Sequence, residues 1–191
     1  VNGVVGTSYT SEDSDLVAVE NNYAAMENEL QAEIDNIEST HPGYDEYRYD
    51  LDAIGHNPHE LASYLTALLQ SYTPQSAQAE IERIFDMQYT LTLTEEVEVR
   101  YRTETRTDSE GNEYDVEVAY NYYILNVDLE NFNLSHVPVY IMGEEQLSMY
   151  AMYMSSLGNR PDLFPQSGYI SKYYENPPAD YEIPPAYLED E

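Results

Sequence analysis

Hydrophobic positions fall into two rhythms along this 191-residue chain. From about Ser14 to Ser39, Leu16, Tyr23, Leu30 and Ile37 recur every seven residues, and Val19, Met26 and Ile34 widen the stripe. This is the pattern of a helix with one buried face. The spacing also fits a short coiled coil, although Glu33 falls where a further seam residue is expected. His41-Pro42-Gly43 ends the helix. The segment YDEYRYDLDAI then alternates loosely, as a short edge strand or irregular chain would. Asn57-Pro58 and Thr73-Pro74 are helix starts, each with a capping side chain followed by proline at the first helical position. They predict helices over roughly 58–71 and 74–87. Leu61, Tyr64, Leu65, Leu68 and Leu69 form the inner face of the first, and Ala77, Ile81, Ile84 and Phe85 that of the second.

The period then changes to two. Tyr89, Leu91, Leu93, Val97, Val99 and Tyr101 share one parity; Thr90, Thr92, Thr94, Glu96, Glu98, Arg100 and Arg102 share the other. Beyond the turn DSEGN, where Gly111 supplies a positive φ, Tyr114, Val116, Val118, Tyr120 and Tyr122 alternate likewise. The apolar phase then slips to Leu125, Val127 and Leu129, and a bulge near Tyr122–Leu125 is the expected remedy. This predicts one long antiparallel hairpin, its wet face setting Arg100, Arg102 and Arg106 near Glu113, Asp115 and Glu117. A last helix follows over about 144–157, packed through Leu147, Tyr150, Ala151 and Met154 and ended at Gly158.

The fold class is therefore α+β: an amphipathic helix, a helix pair, a long hairpin within a small sheet, a further helix and a proline-rich tail. The expected division is a flexible lead-in at 1–13, an α+β domain at 14–158 and an acidic, proline-rich linker at 159–191. At roughly 3.1 Å per residue in polyproline II, that linker spans several tens of ångströms.

Charge narrows the partners. Thirty-seven acids against seven Lys or Arg give a net charge of −30. Nucleic acids and anionic membrane surfaces would be repelled. With no cysteine, disulfides, thiolate nucleophiles and cysteine-ligated zinc are excluded. A start at Val1 rather than Met points to a segment upstream.

Candidate chemistry is sparse. His56 and His59 stand three apart across Asn-Pro, whereas a zincin helix needs them four apart, so a capping or surface role is expected. His41 and His136 add no local metal spacing. DSEGNEYD (108–115) offers oxygen ligands, but its glycine is fourth where a calcium loop needs it sixth, and a hairpin turn accounts for it. Glu95-Glu96 and Glu144-Glu145 are the pairs a glycosidase reading would use; that chemistry needs a fixed separation in a cleft. No nucleophile elbow, phosphate loop or dinucleotide fingerprint is present. No catalytic residue, metal ligand or cofactor is assigned. Arg100, Arg102 and Arg106, with Tyr120 and Tyr122, are the expected binding surface.

Three separated stretches, HPGYDEYRYDLDAIGHNPHELASYLTAL, TLTEEVEVRYRTETRTDSEGNEYDVEV and MYMSSLGNRPDLF, resemble the region before the peptidase in cell-wall hydrolases of Gram-positive conjugative transposons. The resemblance covers about Thr7 to Arg160. It implies a downstream NlpC/P60 or M23 endopeptidase domain, joined through the tail YISKYYENPPADYEIPPAYLEDE. The peptidase's Cys and His, or its zinc-binding His and Asp, match nothing in this sequence. The resemblance thus implies a noncatalytic positioning or docking domain, at the cell surface or outside the cell and membrane-associated in the full protein. The implied partners are peptidoglycan or a transfer-channel protein. A peptidoglycan- or channel-binding module, a carboxylate-based glycan hydrolase and a homodimer formed through residues 14–39 are the alternatives.

Overall fold

The structure, a computed structural model, describes residues 7–164 and is α+β. Its elements run α1 (Asp13–Asp35), α2 (Ile37–Thr40), β1 (Glu46–Leu51), α3 (Pro58–Leu69), α4 (Pro74–Gln88), β2 (Tyr89–Thr107), β3 (Glu113–Asn131), α5 (Pro138–Ile141) and α6 (Glu144–Ser156). Short 3-10 turns occupy Leu134–His136 and Leu157–Asn159. Where one principal domain is expected from length, the chain gathers into two compact units. Of the described residues, a helical unit draws on 7–34, 52–90 and 130–164, and a sheet unit comprises Asp35–Leu51 and Leu91–Leu129. The proline-rich linker, from 165 onward, lies outside the described residues.

The helical unit is organised around α3. The Asn57 side chain accepts the His59 N–H at 2.9 Å, and Pro58 fills the first position without leaving an orphan donor. Thr73 and Ser76 cap α4 reciprocally, with Pro74 between them. The sequence predicts one inner face for α3, yet Pro58 to Ala67 are all buried, polar residues included. It is a central helix enclosed by its neighbours, packed most extensively against α6. Leu16, Val19 and Tyr23 of α1, Leu61, Tyr64 and Leu65 of α3, Ile81 and Ile84 of α4, and Tyr153 share its core. Each such side chain contributes roughly 1.5–3 kcal/mol by leaving water.

Three expectations are corrected here. Residues 7–12 are not a loose lead-in: Tyr9 is 2% exposed, and its N–H bonds the Gly158 carbonyl at 3.2 Å. The packed region also runs past residue 158, because Phe164 is 8% exposed in the same core. In α6, Ala151 faces solvent and Tyr153 takes the buried position. The heptad stripe of α1 is buried within its own chain at Leu16, Val19, Tyr23, Leu30 and Ile34.

In the sheet unit the strand order is β1-β3-β2. The edge strand β1 pairs in parallel with β3, Glu46 opposite Ile124 through Leu51 opposite Leu129. β2 and β3 form the hairpin: Thr103 bonds Glu117, Thr105 bonds Asp115, and the Asp108 N–H reaches the Asn112 carbonyl at 2.9 Å. Asp108 also accepts the N–H groups of Glu110 and Asn112, and Gly111 takes φ +84°. Those hydrogen bonds hold its carboxyl below its ordinary pKa. The acidic loop is a hairpin turn built on Asp108.

No bulge is needed. Arg102 sits by Tyr120 and Arg100 by Tyr122 on one side of the expected slip, and Glu96 bonds Asn126 on the other, all at the same cross-strand offset. What changes at Tyr122–Leu125 is which face is covered. Near the base, Leu91, Leu93, Leu125 and Val127 pack with Ile37, Tyr44 and Tyr47. Further out, the same face of β2 turns to water, and Val97, Val99 and Tyr101 are 53%, 59% and 65% exposed.

Candidate functional site

Two arrangements bring together side chains capable of chemistry or recognition, one in each unit.

In the helical unit, α1 turns Glu20, Tyr23 and Glu27 inward. These positions lie three and four residues apart and therefore on one helix face. The His56 imidazole sits between the carboxylates, with Nε2 2.7 Å from Glu20 and Nδ1 2.8 Å from Glu27. The three are almost wholly buried. Burial opposes a charged ring, but the two flanking carboxylates outweigh it and hold the His56 pKa well above its ordinary value. Burial likewise raises Glu20, with His56 opposing. The geometry lets a protonated ring donate to both carboxyl groups at once. Removing one partner from such a cluster costs about 3–5 kcal/mol, because a buried charge is left behind. The Tyr89 hydroxyl donates to Glu27 and accepts the Gly55 N–H at 2.9 Å, while Tyr23 donates to Gln88 at 2.5 Å.

One helical turn on, Tyr9 lies 2.8 Å from His59 Nδ1 and 3.2 Å from Ser63 Oγ. Burial depresses the His59 pKa to about 4, so its ring is neutral. With Nε2 directed at the Pro161 carbonyl, 3.4 Å away, the proton belongs on Nε2 and Nδ1 accepts from Tyr9. Ser63 and His59 could suggest a nucleophile and its base, yet both are sealed in the core. Burial also lifts the Glu60 carboxyl to about 8, against the opposing influence of His56 and the Tyr150 hydroxyl.

The surface role expected for His56 and His59 is therefore corrected. Both are interior residues, and only the His59 backbone takes part in a cap. Among the described residues no group of three or more His, Asp or Glu is placed to hold a metal. His136 stacks edge-on against Phe132. Shallow hollows of about 360 and 300 Å³ lie elsewhere, the larger lined by Thr7, Ala151, Met152, Ser155 and Ser156. Glu20 and Glu27 went unnoticed in the sequence, although they stand seven apart and each follows a stripe residue, Leu16 or Tyr23, by four.

In the sheet unit, the predicted surface residues do share a face. Arg100 lies over the Tyr122 ring, 3.4 Å from its centroid, and Arg102 lies 5.5 Å from that of Tyr120. Their acidic partners differ from those expected. Arg100 pairs with Glu98 at 2.9 Å, and Arg102 and Arg106 with Glu104 at 3.4 and 3.3 Å, along their own strand, and Arg100 also reaches Glu46 of β1 at 3.9 Å. Asp115 and Glu117 stand on the opposite face, bonded to Thr105 and Thr103. Arg48 of β1 joins the first cluster, 3.8 Å from Glu96 and 3.7 Å from Glu98, and also pairs with Glu46. Such exposed pairs are worth about 0–1 kcal/mol each, so the face is a solvated charge lattice that can exchange partners. Glu95 and Glu96 point to opposite faces of β2 as strand neighbours must, and cannot flank one glycosidic bond.

No family model, curated protein or solved structure matches this chain. No described helix is long and apolar enough to cross a membrane.

Proposed function

We propose that this chain is a noncatalytic positioning or docking domain of a secreted or membrane-associated peptidoglycan hydrolase used in conjugative transfer. The observation that carries the reading is the sealing of His56 between Glu20 and Glu27 inside the helical core. The side chains best suited to acid–base work are spent on holding α1 to the segment before α3. The cysteine of an NlpC/P60-type peptidase has no counterpart in this sequence, so the cutting domain lies downstream in this reading. The residues left for contact are the Arg100–Tyr122 and Arg102–Tyr120 pairs of the hairpin. Guanidinium–aromatic pairs of this kind place a cation and a ring side by side for a partner to meet. Peptidoglycan and a transfer-channel protein are the proposed partners, and the cell surface the proposed location.

The test places the purified chain beside a longer product carrying the downstream peptidase, both incubated with intact peptidoglycan. The longer product is expected to release muropeptides and the chain alone none. Retention of the chain on peptidoglycan, weakened by Arg100→Ala and Arg102→Ala with the fold intact, would assign the docking face. Release of wall fragments by the chain alone, at a rate comparable with the longer product, would overturn the reading.

A further inference from the structure

We propose that the open edge of β2 pairs with the same edge of a second copy of this chain, antiparallel, about a two-fold axis at Val99. The order β1-β3-β2 makes β2 an edge strand along its length, and β1 occupies the far side of β3, away from it. Such an edge offers a row of unpaired backbone N–H and C=O groups.

The backbone phase identifies which residues offer them. Asp108 bonds Asn112 through its main chain, so the even-numbered residues of β2 turn their amides toward β3. Alternation leaves the amides of Val97, Val99 and Tyr101 on the open edge. Their side chains are the exposed apolar row already described. The opposite face carries Glu96, Glu98, Arg100 and Arg102.

An antiparallel pair centred on Val99 matches both faces at once. Val99 meets its own mate and Val97 meets Tyr101. On the other face Glu98 meets Arg100, and Glu96 meets Arg102. Two-fold symmetry makes every unlike pair occur twice. Adjacent centres fail on charge: an axis at Glu98 sets Glu98 against itself, one at Arg100 sets Arg100 against itself, and one at Tyr101 sets Arg100 against Arg102. Like charges directly opposite are destabilising, whereas unlike pairs stabilise the ladder. The arginines' present partners, Glu98 and Glu104 on their own strand and Glu46 of β1 at 3.9 Å from Arg100, form surface pairs, so re-pairing across the axis costs little. Charge thus selects both the partner, a second copy, and the register.

The absence of cysteine makes the register measurable. Facing residues of a hydrogen-bonded antiparallel pair have Cα atoms about 5.5 Å apart, inside the range of about 4.4–6.8 Å that a disulfide accepts. Val99→Cys should therefore yield a disulfide-linked dimer under mild oxidation. In Val97→Cys and Tyr101→Cys the two new thiols sit four residues apart along the strands, roughly 13 Å, and should not cross-link. Sedimentation supplies a second readout. The wild-type chain should dimerise with concentration, Arg102→Glu should weaken the dimer by at least about tenfold, and Glu96→Arg with Arg102→Glu should restore it. Equal cross-linking at all three positions would overturn the proposal, as would failure of the charge swap to restore pairing. A wild-type chain still monomeric at about 1 mM would also refute it, including where the edge instead captures an extended peptide from another protein.

Discussion

At the scale of single residues, the carboxyl of Glu60 is the clearest lever on stability. Its folded pKa of about 8 stands above its ordinary 4.5 because the group is buried. Below pH 4.5 the folded and unfolded chains both hold the proton, and Glu60 contributes nothing to pH dependence. Between 4.5 and 8 the unfolded chain has released the proton and the folded one retains it. Folding therefore loses about 1.4 kcal/mol per pH unit from this group, and the loss levels off above 8. Glu60→Gln keeps the shape and removes the titration. Its melting temperature should equal that of the wild type near pH 4 and exceed it increasingly toward pH 8. A constant difference across that range would refute the assignment. None of this is legible in the sequence. Glu, Asp and Lys are almost never fully buried unless paired, so Glu20, Glu27 and Glu60 read as surface; the pairing with His56 that licenses the burial of Glu27 and Glu20 joins residues 29 and 36 positions apart, and Glu60 is buried without it.

At the scale of elements, local chemistry was legible and context was not. Asn57-Pro58 and Thr73-Pro74 mark the starts of α3 and α4 because a cap acts on its immediate neighbours. The enclosure of α3 was hidden because small polar residues such as Ser63 and Thr66 fit a crowded interior when hydrogen-bonded, as Thr66 is to the Ala62 carbonyl at 2.7 Å. The period of the hairpin was plain, but its covered face was not. In its outer half the apolar parity of β2 lies on one face and that of β3 on the other, so alternation alone names no inside. The Arg100–Tyr122 face was legible as a set of residues, while its acidic partners were not. The end of α6 carries a testable constraint. Gly158 adopts φ +61°, and a Cβ there would stand 2.3 Å from the buried Tyr9 ring. Gly158→Ala should cost about 2–3 kcal/mol or more in urea unfolding, from overpacking added to left-handed strain. Gly143→Ala, with nothing within 4 Å of the new methyl, is the control and should change stability by less than about 1 kcal/mol. Equal effects at the two sites would show that Tyr9 does not fill the space beside Gly158.

At the scale of the whole molecule, net charge sets the terms for folding and for association. A chain at −30 repels itself over long range, and like-charge repulsion destabilises compact states. Added salt shortens the reach of that repulsion from about 30 Å at 0.01 M to about 8 Å at 0.15 M. The favourable pairs, such as Arg100 with Glu98 at 2.9 Å and His56 with Glu27 at 2.8 Å, act at contact or in the interior and are screened less. The two effects oppose each other, and the numbers decide between them. Seven basic side chains can neutralise only a minority of 37 acids, so most carboxylates face repulsion alone. Melting temperature should therefore rise as sodium chloride goes from about 0.01 to 0.15 M, measured by circular dichroism at pH 7. The same screening should tighten pairing at β2, because each copy brings the full −30 to the axis. A melting temperature that falls with salt would mean that attractive surface pairs outweigh the excess of acids, and the charge lattice on the hairpin would then be a principal source of stability.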